Sequence, residues 1–247
     1  MTQTQDPSPL EALRARQDPS LGDPVLDNAA WAALTGPQAH LAQRVGLAAR
    51  FDPEVAPFVA LEDHHDPQAW LDAATLVGRG GTFAVAGEGV RPPEGWDFTS
   101  VGGGVQLVDV DLTKEPDPEA RLLGESDVPE MLELIERTRP GPFRPRTVEL
   151  GGYLGIRRDG DLIAMAGRRM HPRGWIEISA VCTDVAFRGQ GLGARLVRAV
   201  AAGIVADGEK VFLHTAAGNT TAIRLYESIG FRLRRVTDFL SVTVPEQ

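Results

Sequence analysis

Cysteine is nearly absent from this chain: Cys182 is the single one in 247 residues. One thiol closes no internal disulfide and supplies no multi-cysteine zinc site, in keeping with a reducing compartment. Long apolar runs are missing as well. No stretch approaches the eighteen or more residues of a membrane span, and the opening MTQTQDPSPLEALRARQDPS has neither an apolar signal core nor a cleavage pattern. A cytoplasmic protein with no membrane partner is therefore expected. Metal chemistry lacks a sequence basis too, because His64 and His65 stand in EDHHDP without HExxH-like spacing and read as a solvated loop. Basic charge is in short supply: 25 Lys or Arg face 34 Asp or Glu, a net charge of −9 that argues against a nucleic-acid surface.

The charge is unevenly spread. Residues 1–120 hold 7 Lys or Arg against 19 Asp or Glu, a balance of −12, and the remainder of the chain stands at +3. A polyphosphorylated ligand finds its favourable field in the second half. The composition, 43% hydrophobic and 24% charged, is that of an ordinary globular protein. Residues 1–22 combine Pro, Gln, Ser and Asp and are expected to form a flexible or loosely docked tail. Residues 23–113 read as a smaller α/β domain. Its elements are helices between about Asn28 and Leu47, strands at 55–61, 82–86 and 105–110, and a helix at 67–77. KEPDPEA, residues 114–120, is charged, Pro-bearing and aperiodic, and marks the expected linker. From 121 to 247 the pattern is strand, helix, three strands, helix, strand, helix and two closing strands. The three strands, at 153–157, 162–170 and 175–183, are expected to form an antiparallel meander.

The most informative piece is IEISAVCTDVAFRGQGLGARLVRAV, where a β-branched strand turns through Arg188, Gly189, Gln190, Gly191, Leu192 and Gly193 into an amphipathic helix. Such a turn aims several backbone N–H groups and a positive helix end at one diphosphate, and glycine keeps a Cβ from holding the phosphate away. A dinucleotide fingerprint would need GxGxxG opening a βαβ unit, and here the preceding strand belongs to a meander. Cys182 has no histidine placed by sequence to activate it and reads as a small buried residue, not a nucleophile. Arg232, Arg234 and Arg235 on a closing strand read as a solvated face. Arg144 and Arg146 stand in an irregular segment with Pro140, Pro142 and Pro145.

R-x-x-G-x-G at Arg188, Gly191 and Gly193 resembles the acyl-CoA signature of the GCN5-related N-acetyltransferases, the GNAT superfamily. Downstream, Asn219, Ala222, Leu225, Tyr226, Gly230 and Phe231 in NTTAIRLYESIGFR fall where that family has its second signature. SAVCTDVAFRGQGLG is similar to the FR47-like branch. The resemblance covers about residues 120–244. It implies a GNAT fold: a mixed, mostly antiparallel sheet flanked by helices and splayed between the strands at 175–183 and 211–214. The acidic first half would be a cap or a degenerate copy of the same fold. It further implies acetyl-CoA as cosubstrate with no metal, held by Val181, Cys182 and Thr183 through backbone groups, by Arg188 to Ala194 around the pyrophosphate, and by Asn219. Tyr226 would be the general acid and Glu177, eleven residues before Arg188, the general base. If no bulge intervenes, residues 177, 179, 181 and 183 share one face. The partner implied is a small-molecule or peptide amine attacking in a ternary complex, with a homodimer left open. Two other readings stand beside this one, a non-catalytic acyl-CoA-binding regulatory module and an interaction scaffold. Val185 departs from the family, which often has proline there.

Overall fold

Strands that are buried on both faces form the centre of this molecule, described by a computed structural model over residues 9–246. In chain order the helices are α1 (Pro9–Arg14), α2 (Ala29–Leu34), α3 (Pro67–Val77), α4 (Val128–Thr138), α5 (Leu192–Ala206) and α6 (Thr220–Ser228). The strands are β1 (Ala42–Val45), β2 (Ala48–Phe51), β3 (Val59–Leu61), β4 (Thr82–Gly87), β5 (Asp97–Asp109) and β6 (Arg121–Leu123). They continue with β7 (Tyr153–Arg158), β8 (Asp161–Arg168), β9 (Trp175–Thr183), β10 (Lys210–Ala216) and β11 (Phe231–Thr243).

Eight strands form one sheet in the order β4-β11-β5-β10-β9-β8-β7-β6. Its neighbours pair antiparallel except β9 with β10, which run parallel. This is the mixed, mostly antiparallel α/β GNAT fold, and the meander of β7, β8 and β9 lies where the turn signals place it. The parallel step arises because α5 returns the chain from the end of β9 to the start of β10, as a crossover requires. Strands β1, β2 and β3 form a small antiparallel sheet, tied to β4 by a bridge between Phe58 and Ala84.

Helices α5 and α6 cover one face. Leu196, Val197, Val200 and Ile204 of α5 and Ile223 and Tyr226 of α6 pack with Ile163, Ile176, Ile178, Val211 and Phe231 of the sheet. Each fully buried Leu, Ile, Val or Phe here adds about 1.5–3 kcal/mol of burial free energy. The other face is covered in part by α4, over Tyr153, Met165 and Cys182, and in part by the N-terminal segment, whose Leu26, Ala29 and Ala33 sit on Val108, Trp175 and Phe212.

The division expected at 114–120 does not appear as a break between two cores. Strands β4 and β5 belong to the first half yet lie inside the large sheet, and Val105 and Leu107 share a cluster with α5 and α6. The 114–120 segment itself is docked: Asp117 accepts from Arg195 Nε at 2.6 Å and Nη2 at 2.9 Å. Pro and charge made it read as a linker, whereas buried ion pairing holds it to α5. The expected tail is corrected in the same way. Its residues 1–8 lie outside the described residues, but Leu13 of α1 is buried in the main core and Arg14 pairs with Asp238 at 3.2 Å. Residues 42–47, the end of the stretch expected to be helical, form β1 and the turn into β2 instead, because Gly46 takes a φ of +46° in a tight turn. The two closing strands are one, β11, with register breaks at Leu233/Arg235 and Phe239/Leu240. The first break turns Arg234 inward, where it is 1% exposed, so the expected solvated arginine face is overturned at its middle residue.

Candidate active site

Strand β9 leaves its partner halfway. Parallel pairing with β10 runs from Lys210–Trp175 to Leu213–Ile178 and stops. Beyond that point β9 stays with β8 as far as Thr183, and β10 stays with β5 as far as Ala216. The interval between Ser179–Thr183 and His214–Ala216 is therefore a wedge with an unpaired strand edge. A bulge marks its apex: Ala180 has a φ of +51° and the β8–β9 register breaks between Met165 and Gly167. The bulge ends the simple alternation of faces. Ile176, Ile178 and Val181 turn to α5, whereas Ala180 and Cys182 turn to α4, so residues 177, 179, 181 and 183 do not share one face.

At the wide end of the wedge the chain makes its glycine turn. Asp184 caps a short 3-10 turn by accepting from Ala186 N at 3.1 Å, and Arg188 follows in extended conformation. Gly189 and Gly191 have φ of +80° and +75°, conformations in which a side chain is strained. A Cβ on either would meet no protein atom within 4 Å, so the space over the turn is open to a ligand. Helix α5 begins at Leu192 with Gly191 as an N-cap that offers no side-chain acceptor. The first intrahelical bond runs from Arg195 N to Gly191 O, which leaves the amides of Leu192, Gly193 and Ala194 free for an anion. Gly193 lies against Val181, Thr183 and Leu225, which seats the helix start on the free edge of β9. Arg188 Nε donates to Thr183 O at 3.3 Å, and Gln190 is exposed in the same turn.

Helix α6 brings Tyr226 to the wedge from the α5 side. Its ring meets Phe231 edge-on at 6.0 Å, and it is 6% exposed. Burial, with the Cys182 sulfur adding to it, pushes the phenol up to about 12, so it stays protonated at neutral pH. Asn219 caps α6, its Oδ1 accepting from Ala222 N at 3.1 Å. Cys182 is buried beneath α4, and burial raises its thiol to about 11, the opposite of what a nucleophile needs.

Glu177 departs from its expected role. It is 0% exposed and its two oxygens are fully engaged. Oε1 accepts from Arg169 Nη2 at 2.6 Å and His214 Nδ1 at 2.7 Å, and Oε2 from Arg169 Nε at 2.7 Å and Met170 N at 3.3 Å. Burial alone would raise the carboxyl, but the charge and hydrogen bonds of Arg169, with the hydrogen bond of His214, hold it at about 2. A base that weak, with no free lone pair, does not take a proton from an ammonium at neutral pH. The general-base expectation for Glu177 is thus corrected to that of a buried anchor.

The anchor continues inward through residues that sequence reasoning missed. Gln106 Oε1 accepts from Arg234 Nη1 at 2.9 Å, which turns its amide nitrogen toward Leu26 O at 2.9 Å and His214 Nε2 at 3.1 Å. That orientation fixes the His214 tautomer with its proton on Nδ1, toward Glu177. Arg169 also stacks on Phe58, its Cζ 5.2 Å from the ring centroid. These groups come from five separated segments, and no spacing announces them. Arg146 binds Asp52 and Glu149, tying the Pro-rich segment to the N-terminal part. Asp63, His64 and His65 bring one ligand atom each within 4.8 Å of one another on a turn closed by His65 N and Asp63 Oδ1. No helix among the described residues is long and apolar enough to cross a membrane.

The unpaired edge of β9, the glycine turn at the start of α5 and the buried Tyr226 of α6 all fall within the stretch that matches a known family. Residues 153–240 match the FR47-like protein family model. A GNAT-family acetyltransferase structure from Novosphingobium aromaticivorans DSM 12444 is 39% identical, with 91% of this chain and 100% of that one covered and a TM-score of 0.80. A GCN5-related N-acetyltransferase structure from Kribbella flavida shares the fold, at TM-score 0.58 and 21% identity, over 87% of this chain and 95% of its own. N-alpha-acetyltransferase RimI of Mycobacterium tuberculosis (strain ATCC 25618 / H37Rv) is 34% identical over 84 residues, 32% of this chain; the match spans 51% of that relative's length. The chain belongs to the GNAT family of acetyltransferases.

Proposed function

We propose that the protein transfers an acetyl group from acetyl-CoA to an amine by direct attack within a ternary complex. The observation that carries this reading is the alignment of three features along one strand: the divergence of β9 from β10 after Ile178, the uncapped start of α5, and the buried Tyr226 in the cluster that Val181 packs against. The pyrophosphate would lie on Arg188 to Ala194 and the pantetheine arm would pair with Val181 to Thr183 as an added strand, with Asn219 beside it. Tyr226, protonated at neutral pH, would supply the proton to the departing thiolate. With Glu177 engaged, the acceptor enters as the small free-base fraction of its ammonium, its proton passing to water.

The acceptor class is an amine, of a small molecule or of a peptide. Local similarity to an N-alpha-acetyltransferase favours including peptide N-termini in any screen. The test is CoA release from acetyl-CoA across a panel of alkylamines, amino acids and short peptides, with both substrates varied. Intersecting initial-rate patterns support direct transfer, and parallel patterns would contradict it. For a responding amine, kcat/KM should climb about tenfold per pH unit below the amine's own pKa.

A further inference from the structure

Among the buried groups that the proposed chemistry does not use, the Tyr153 hydroxyl is the least explained. The residue is 1% exposed, and its oxygen has no hydrogen-bond partner among the described residues. An orphaned buried hydroxyl is destabilising, and native folds keep few of them. Its neighbour leaves room for it by design of the sequence: Tyr153 of β7, Gly167 of β8 and Ser179 of β9 stand in one lateral row. A Cβ on Gly167 would strike the Tyr153 ring, so only glycine there lets the ring lie across β8 toward β9. The ring is braced edge-on by Phe143 at 5.4 Å. Cys182 belongs to the same buried cluster as the ring, and Ala180, at the bulge, packs against that cluster. Ser179 is the first residue of β9 past its last pair with β10. The orphaned donor therefore belongs to the group of residues packed at the bulge, beside the point where β9 leaves β10.

We infer that Tyr153 is a catalytic residue whose hydroxyl donates a hydrogen bond to the acetyl carbonyl oxygen of bound acetyl-CoA and holds the oxyanion formed there. The inference rests on acetyl-CoA occupying the wedge as proposed above. Burial raises the phenol well above its ordinary value, so the group is a donor throughout the working pH range. When the amine nitrogen's lone pair forms the C–N bond, the carbonyl π pair moves to oxygen, and Tyr153 stabilises that charge without giving up its proton. Collapse breaks the C–S bond, the thiolate takes the proton of Tyr226, and Tyr226 and the product nitrogen re-equilibrate with water. A preorganised donor in a dry site acts strongly on a developing anion and weakly on the ground-state carbonyl.

Tyr153→Phe tests this without disturbing the ring that Phe143 and Gly167 fit. Calorimetric titration with acetyl-CoA and with free CoA, which lacks the acetyl oxygen, should show acetyl-CoA affinity lowered about three- to tenfold and CoA affinity unchanged. With an amine that the wild-type chain acetylates, kcat should fall about 10²-fold, and thermal stability should stay level or rise because the orphan is gone. Equal losses for both ligands, or no loss for either, would overturn the assignment. Binding of neither ligand by the wild-type chain would instead overturn the acetyl-CoA reading itself, and this inference with it.

Discussion

The two ends of strand β9 are built in opposite ways. Its first half, Trp175 to Ile178, is paired to β10 throughout and carries Glu177 into a lattice of Arg169, His214, Gln106 and Arg234. Its second half, Ser179 to Thr183, is unpaired toward β10 and ends in a turn whose offered groups are backbone amides. The first half holds shape with side-chain charge, and the second leaves main-chain groups free for a ligand. The contrast teaches that one strand can be both hinge post and binding edge, provided a bulge at Ala180 separates the two duties.

Breaking the charged half should have the largest effect. Arg169→Ala strands the Glu177 carboxylate in the interior, and uncompensated buried charge costs about 3–5 kcal/mol. Denaturant unfolding should show a loss of that order, and replacing both residues with leucine should recover much of it. A loss within about 1 kcal/mol would mean that water reaches the carboxylate. The acid limb of stability gives the same information. The Glu177 carboxyl is depressed in the fold from its ordinary 4.5 to about 2, so its contribution is complete above 4.5 and is lost as pH falls through that interval. Glu177→Gln should lack this dependence while keeping the wild-type shape of the kcat/KM profile near neutral pH. A profile that lost its acidic limb in the variant would restore Glu177 as the base.

Chemistry at the open half comes next in size. Tyr226→Phe preserves the packing on Phe231 and removes the acid, so kcat should fall by at least about tenfold with acetyl-CoA affinity nearly constant. A full-rate variant would assign the proton to water. The smallest effect is expected at Val185, exposed at the first position of its short 3-10 turn and preceded by Asp184 in an extended conformation that proline tolerates. Val185→Pro should raise stability by about 0.4–1 kcal/mol in thermal unfolding and leave cofactor affinity unchanged. Destabilisation would show that the turn needs the Val185 amide.

The backbone of the open half was legible from residues in a row, because local sequence dictates its conformation. Gly189 and Gly191 do adopt the positive φ that their turn needs, and α5, α6 and the meander fall close to where periodicity places them. The charged half was not legible. Glu177 stands alone in an apolar strand, and its partners Arg169 and His214 come from β10 and from the loop after β8, so only the assembled sheet brings them together. The same holds for β4 and β5, which the break in composition at 114–120 assigns to another unit although the register of β11 binds both. Arg234 reads as surface by its neighbours and is buried by a bulge that no pattern of hydrophobicity reveals.

The central claim is that acetyl-CoA is held by the backbone of the turn at 188–194, and calorimetric titration of the full chain tests it most directly. Gly191→Val puts a branched side chain at a φ of +75° and into the open space over the amides of Leu192 to Ala194. The account predicts binding by the wild-type chain and affinity at least about tenfold weaker in the folded variant. Equal affinity in both would contradict it and move the cofactor away from this turn.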